Sequence, residues 1–248
     1  MHFILEIAAF TLHGAIEAYK TGAHRIELCD NPSDGGTTPS YGMMVEAKKN
    51  IRIPIFPIIR PRGGNFVYSK EEIESIKNDI ELCKELKFEG IVIGCLNENG
   101  EIAIALMNKL VQLAFPMNVT FHRAFDRTAD PLIALEQIID SGCKRILTSG
   151  QYSTVTDGKD NLKKLIEKAD NRIIIMPGSG LNSQNIREIA TYTKAKEFHT
   201  AARISQYDKN IFSPPTMNES LSYTTVNRDE IKSILDELEF LKKNLNKT

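Results

Sequence analysis

The chain has 248 residues, and most quick routes to an assignment are missing from it. There is no charge imbalance: 31 basic and 32 acidic side chains leave a net charge of −1. No basic stripe is set up to follow a nucleic-acid backbone, and no strong field steers partners. No apolar run is long enough to span a bilayer, so membrane partners are not expected. The opening "MHFILEIAAF" has no basic flank and reads as a first strand rather than a signal peptide. Cysteine is scarce. Cys29, Cys83, Cys95 and Cys143 are widely spaced without a C-x-x-C pair. In a chain of this size that suggests reduced thiols and a cytoplasmic protein rather than a disulfide framework. The G-x-G-x-x-G of a dinucleotide fold does not follow the first strand, and the lysine of a P-loop is missing. No linker divides the sequence, so a single domain over 1–248 is expected.

What the chain does have is a repeat of β-rich runs: "FILEIA" (3–8), "RIELC" (25–29), "IPIFPIIR" (53–60), "GIVIGC" (90–95), "NVTFHR" (118–123), "RILTSG" (145–150), "IIIMPG" (173–178) and "EFHTA" (197–201). They recur about every 28 residues, close to one βα unit. Helical segments lie between them. One begins at Thr11 and stops at Gly22; another opens on Ser69 and Glu72 at capping-box spacing; a third has Pro131 in its first turn and Gly142 as its stop. Eight strands alternating with helices predict an α/β fold, a (β/α)8 TIM barrel, over an open doubly wound sheet. Residues 202–227 read as a long loop after strand eight, a lid, an interface segment or a disordered stretch. Residues 228–245 read as an amphipathic closing helix.

Active sites of such barrels lie at the C-terminal ends of the strands, and strand parity separates the two faces. Leu5, Ile7, Ile26, Leu28, Ile55, Ile59, Val119 and Phe121 should face the helices. Glu6, Arg25, Glu27, Cys29, Ile58, Arg60, Thr120 and His122 should then point inward. Layering predicts an apolar floor of Ile4, Ile58, Thr120 and Met176 beneath Glu6, Arg60, His122 and Gly178.

In chain order, "RIELC", "IRPRGGNFVYS", "TFHRAFD", "ILTSGQ" and "IMPGSGL" resemble the CutC family of copper homeostasis proteins, over residues 3 to about 201. The resemblance implies a cytosolic TIM barrel, often a homodimer or larger homo-oligomer, that handles copper, with copper(I) as the implied metal. It does not imply a particular reaction. The family's "PGGG"-like loop stands here as Pro177-Gly178-Ser179-Gly180, with serine in place of one glycine.

The residues themselves support a second reading, an enzyme acting on a small carboxylate or phosphate metabolite at the barrel mouth. Glu6, Glu27 and His122 are the candidate catalytic groups, with His122 titrating near neutrality and either glutamate as its proton partner. Arg60 would clamp the anion. The competing reading is a salt-bridge network that fills the barrel, although buried ion pairs stabilise less than apolar packing does. Arg62, beside Gly63 and Gly64, either binds the same anion or sits solvated in a turn. Arg123 and Asp126 either join the site or pair to hold their loop. Thr148, Ser149 and Gly150 after strand six, with Gly178, Ser179 and Gly180 after strand seven, offer the backbone donors of a phosphate-type cradle or form ordinary turns. For copper, soft thiolates are needed. Only Cys29 and Cys95 end strands on the catalytic side. They are about 9–10 Å apart by strand spacing, against the roughly 4 Å that ligands sharing one metal require. The same thiols are equally read as small buried hydrophobes.

Overall fold

The computed structural model describes residues 3–207, 212, 214, 216–217 and 220–245. Strands and helices alternate. The strands are β1 (Ile4–Ala9), β2 (Arg25–Leu28), β3 (Ile55–Pro57), β4 (Gly90–Ile93), β5 (Asn118–Phe121), β6 (Arg145–Thr148), β7 (Ile174–Pro177) and β8 (Glu197–Thr200). The helices are α1 (Leu12–Thr21), α2 (Tyr41–Asn50), α3 (Lys70–Glu85), α4 (Ile104–Ala114), α5 (Pro131–Asp140), α6 (Lys159–Ala169), α7 (Ile186–Thr193) and α8 (Arg228–Leu245). The strands form two parallel four-stranded sheets, β3-β2-β1-β8 and β4-β5-β6-β7. The sheets meet at two seams, through the pairs Ile58–Val92 and Gly178–His199. This is the α/β architecture of a TIM barrel.

The helix boundaries follow local chemistry. The Thr11 hydroxyl accepts from the Gly14 N–H, and Gly22, at φ 108°, ends α1 in the left-handed region. Ser69 and Glu72 form a reciprocal capping box at the start of α3. Strand parity sorts the apolar side chains into two populations. Leu5, Ile7, Ile26, Leu28, Ile55, Ile59, Val119 and Phe121 pack with the helices in one large core. Ala8, Phe10, Cys29, Phe56, Ile58 and Val92 form a smaller cluster inside the barrel.

Two expectations need correcting. Residues 202–227 are not loop throughout. Arg203–Gln206 (β9) and Tyr223–Val226 (β10) pair antiparallel, and part of the stretch between them lies outside the described residues. The barrel floor is not apolar either. Arg25 bridges Glu6 and Glu197, and Arg145 bridges Glu197 at 2.8 Å. Both guanidinium groups flank the Phe56 ring, at 5.2 and 5.4 Å from its centroid. The reason is register. Glu6 pairs with Arg25, and Ile26 with Ile55, so Arg60 lies well beyond the position on β3 that is level with Glu6. Equal ranks along different strands do not make one layer once the strands are staggered.

Candidate functional site

A cavity of about 810 Å3 opens at the C-terminal ends of the strands, within the range of small-molecule sites. Glu27 and His199 line one part of it, and Arg60, Phe66 and His122 another. Glu6, expected at the mouth, is fully buried and does not line the cavity. It stands behind His199.

Glu6 anchors the first group. Its carboxylate accepts from Arg25 Nε and lies 2.8 Å from His199 Nδ1. Burial alone would raise its pKa, but Arg25 and His199 hold it well below the usual carboxylate range. Burial pushes His199 down, yet the Glu6 hydrogen bond and the nearby Glu27 raise it on balance. The other face of that imidazole, Nε2, lies 3.7 Å from Glu27 Oε2. Glu27 is buried against the cavity, and that burial raises its carboxyl from 4.5 to about 7, with His199 opposing. Glu6, Glu197, Arg25 and Arg145 balance to zero charge, and Glu27 and His199, both raised, are left as the coupled pair beside them.

The second group is built on Phe66. The Arg60 guanidinium stands 4.9 Å from the Phe66 ring centroid, and the His122 ring 4.8 Å from it. Arg60 Nη1 donates to the carbonyls of Asp34 (2.6 Å) and Gly36 (2.8 Å), and Nη2 donates to Gly64 at 3.1 Å. These bonds tie two βα loops together and fix the guanidinium plane. Arg60 Nε is buried with no hydrogen-bond partner among the described residues. His122 Nδ1 accepts from the Ala124 N–H at 3.2 Å, so a neutral ring carries its proton on Nε2. That Nε2 is also buried and unpartnered. Burial, with Arg60 adding to it, drives the His122 pKa down to about 3, so the ring stays neutral.

The other expected anion donors have different fates. Arg62 does not line the cavity; it pairs with Glu72 at 2.6 Å and donates to the carbonyls of Gly63 and Val67. Asp126 binds the loop after β6. Its carboxylate accepts from the Thr148 hydroxyl, the Ser149 and Gln151 N–H groups at 3.1 Å, and Arg123 Nε at 2.7 Å. Gly150 N–H donates to the Thr148 hydroxyl. The cradle expected for a ligand anion thus already holds the protein's own carboxylate. After β7, Gly178 packs behind the wall: a Cβ there would stand 2.5 Å from Leu147 Cδ1. Ser179 and Gly180 do line the cavity, but Ser179 Oγ donates to the Ser153 carbonyl. Farther along that loop, Glu230 of α8 accepts from the Ser183 N–H at 2.6 Å and from its hydroxyl at 2.9 Å. Arg123 reaches the rim. His199 was missed by the sequence reading, although the parity rule applied to β8 turns Glu197 and His199 inward together.

The thiols do not offer a paired copper site. Cys29 lies in the small cluster inside the barrel and Cys95 in the core between strands and helices. Burial, then the neighbouring Glu27, pushes the Cys29 thiol well up, and burial pushes Cys95 up to about 12. Protonated thiols are poor metal ligands. Among the described residues, no group of three or more His, Cys, Asp or Glu side chains is arranged to hold a metal ion, and no helix is long and apolar enough to cross a membrane.

The chain has known relatives. It is 51% identical over 210 residues to a family protein CutC from Parabacteroides distasonis, spanning 84% of this chain and 86% of that one. It is 45% identical over 201 residues to the human copper homeostasis protein cutC homolog, spanning 81% of this chain and 74% of the relative. The crystal structure of CutC from Streptococcus agalactiae superposes with a TM-score of 0.77 at 34% identity, over 80% of this chain and 98% of that one. A thiamine phosphate pyrophosphorylase from Pyrococcus furiosus, at 13% identity and a TM-score of 0.60, shares the fold alone. The CutC family model matches residues 3–204, from the first strand into the hairpin after the eighth, and the chain belongs to the CutC family.

Proposed function

We propose that the barrel mouth binds a small oxyanionic metabolite, with Arg60 Nε–H and His122 Nε2–H as its recognition donors. The observation that carries this reading is a pair of buried N–H donors, both packed on Phe66, both on residues that line one cavity and neither making a hydrogen bond of normal geometry among the described residues; the buried Tyr68 hydroxyl beside Arg60 is likewise unsatisfied. A buried N–H left unpaired costs about 1–3 kcal/mol, so two in one place favour an oxygen ligand that satisfies both. A thermal-shift screen of small carboxylates and phosphates tests it. A ligand at 100 times its Kd adds about 2.7 kcal/mol of stability. The same ligand should give little or no shift in His122→Phe. Equal shifts in the wild type and the variant, or no shift from any anion, would refute the reading.

Copper(I) carriage is the second reading, and the names of the relatives favour it. Its test is a copper(I) titration against a competing chelator, comparing the wild type with the Cys29→Ser/Cys95→Ser double variant. Given the separate burial of the two thiols, any binding should be the same in both. Loss of tight binding in the double variant would assign the metal to these cysteines.

A further inference from the structure

Resting on the oxyanion site proposed above, we infer a further activity: the cavity enolises a small α-hydroxycarbonyl compound, with Glu27 as the base, and the oxyanion held by His122 and Arg60 is the enolate oxygen that develops from the carbonyl. Three features of the cavity carry this. The first is a carboxylate that no guanidinium holds. Glu6 is locked to Arg25 and His199, whereas Glu27 faces the cavity with His199 at 3.7 Å as its nearest basic group and the Cys29 thiol as a weak donor beside it. The second is a neutral imidazole with its tautomer fixed. The Ala124 N–H occupies His122 Nδ1, so the buried Nε2–H is the ring's one hydrogen-bonding group left unused. The third is that Arg60 is held rigidly by three loop carbonyls while its Nε–H stays unspent. A carboxylate base working with a neutral imidazole that polarises a carbonyl is an efficient way to move a proton on carbon. Rigid donors placed where negative charge develops need no reorganisation when it appears.

The step balances without a co-reactant. Glu27 removes the proton from the carbon that bears the hydroxyl. The C–H electron pair becomes the carbon–carbon double bond, and the carbonyl oxygen takes the negative charge against Arg60 Nε–H and His122 Nε2–H. Return of the proton from Glu27 to the same carbon regenerates the starting compound. Return to the neighbouring carbon, with the hydroxyl proton passing to the first oxygen, interconverts aldose and ketose. His199 is a positioning residue. Its Nδ1 is tied to Glu6, and its Nε2 can exchange the Glu27 proton with solvent water. The cavity of about 810 Å3 has room for compounds from three to six carbons.

The test uses the full chain in deuterated buffer with glyceraldehyde, dihydroxyacetone and glucuronate as probes, following deuterium at the carbon next to the carbonyl by NMR. Calorimetry with glycolohydroxamate, a stable mimic of the enediolate, runs alongside. Exchange above the protein-free rate with at least one probe is expected, lowered at least 100-fold in Glu27→Gln. His122→Phe should lower both the exchange and the hydroxamate affinity by a similar factor. Glu27→Asp, which keeps the charge but withdraws the carboxylate, should retain hydroxamate binding and lose most of the exchange, which separates a catalytic role from a folding defect. Hydroxamate binding without exchange of any probe would overturn the enolisation and leave the oxyanion site standing. Neither binding nor exchange would overturn both. Exchange that survives Glu27→Gln would remove Glu27 as the base.

Discussion

Replacing Glu27 by glutamine should stabilise the protein, and only at the pH where the carboxylate is charged. Glu27 carries a pKa of about 7 in the folded chain against 4.5 ordinarily, chiefly because it is buried. The native state therefore binds this proton more tightly than the unfolded chain does. Well below pH 4.5 the carboxyl is neutral in both states and costs nothing. As the pH rises from 4.5 through 7, the unfolded chain ionises first and stability drains away. The difference of about 2.5 between the two values, at about 1.4 kcal/mol each, amounts to about 3 kcal/mol lost by pH 8. Glutamine has the same shape and never ionises. The stability gap between Glu27→Gln and the wild type should thus be near its minimum at pH 4.5 and wider by about 3 kcal/mol at pH 8. Glu6, Arg25 and Cys29 also face Glu27 but are common to both proteins, so their own titrations largely cancel in the gap. His199 shares the proton, so the midpoint of the change belongs to the pair. Urea denaturation at half-unit pH steps measures the gap, provided the m-value does not change. A gap independent of pH, or a variant that becomes relatively less stable as the pH rises, would refute the placement of Glu27 as a carboxyl whose burial outweighs its pairing with His199.

Three further outcomes follow from the packing. Asp126→Ala strips the loop after β6 of the carboxylate that gathers Thr148, Ser149, Gln151 and Arg123; a loss of about 1–3 kcal/mol is expected in urea denaturation. Glu197→Gln leaves Arg25 with Glu6 but strips buried Arg145 of its carboxylate and should cost about 3–5 kcal/mol, read as a fall in the melting temperature. At Gly94 an added Cβ would stand 2.5 Å from the His122 ring; Gly94→Ala should cost about 1–3 kcal/mol through overpacking and abolish any ligand-induced thermal shift, because the ring that must move is the donor.

The alternation of apolar residues was enough to read the strands and their faces, because burial against a helix layer demands an apolar side chain at every second position. Leu5, Ile7, Ile26, Leu28, Val119 and Phe121 all sit where that rule puts them. The capping box at Ser69 was legible for a similar reason: its partners are three residues apart, so local sequence contains the whole interaction. What stayed hidden depends on the stagger between strands and on contacts between distant loops. Glu6 was placed beside Arg60 by counting along each strand alone, but cross-strand register puts it beside Arg25 and His199 instead. His199 was overlooked because β8 carries only Phe198 as an apolar marker, with Glu197, His199 and Thr200 around it. A strand that polar reads as exposed, although all four residues are buried. Arg60 and Arg62 sit two positions apart and look alike in sequence. The carbonyls that meet each of them come from as far away as residue 34 for Arg60 but no farther than residue 67 for Arg62.

The loops after strands six and seven explain where the free donors lie. In barrels of this kind those loops and the helix that follows commonly supply backbone N–H groups to an anion. Here each already has a carboxylate of the chain seated in it, Asp126 after β6 and Glu230 after β7. A ligand anion at either place would have to displace a carboxylate that accepts several hydrogen bonds, and would gain only what that carboxylate gives up. On the far side of the cavity the balance is reversed. Arg60 Nε and His122 Nε2 are desolvated without a hydrogen bond of normal geometry among the described residues, so an oxygen that reaches them breaks no such bond and relieves two costs at once. On the function proposed above, a ligand's oxyanion would sit against β3 and β5, with its remaining atoms directed toward Glu27 and His199. That orientation places the one loosely held carboxylate of the site, rather than the ionic floor beneath it, next to whatever bond is to be changed.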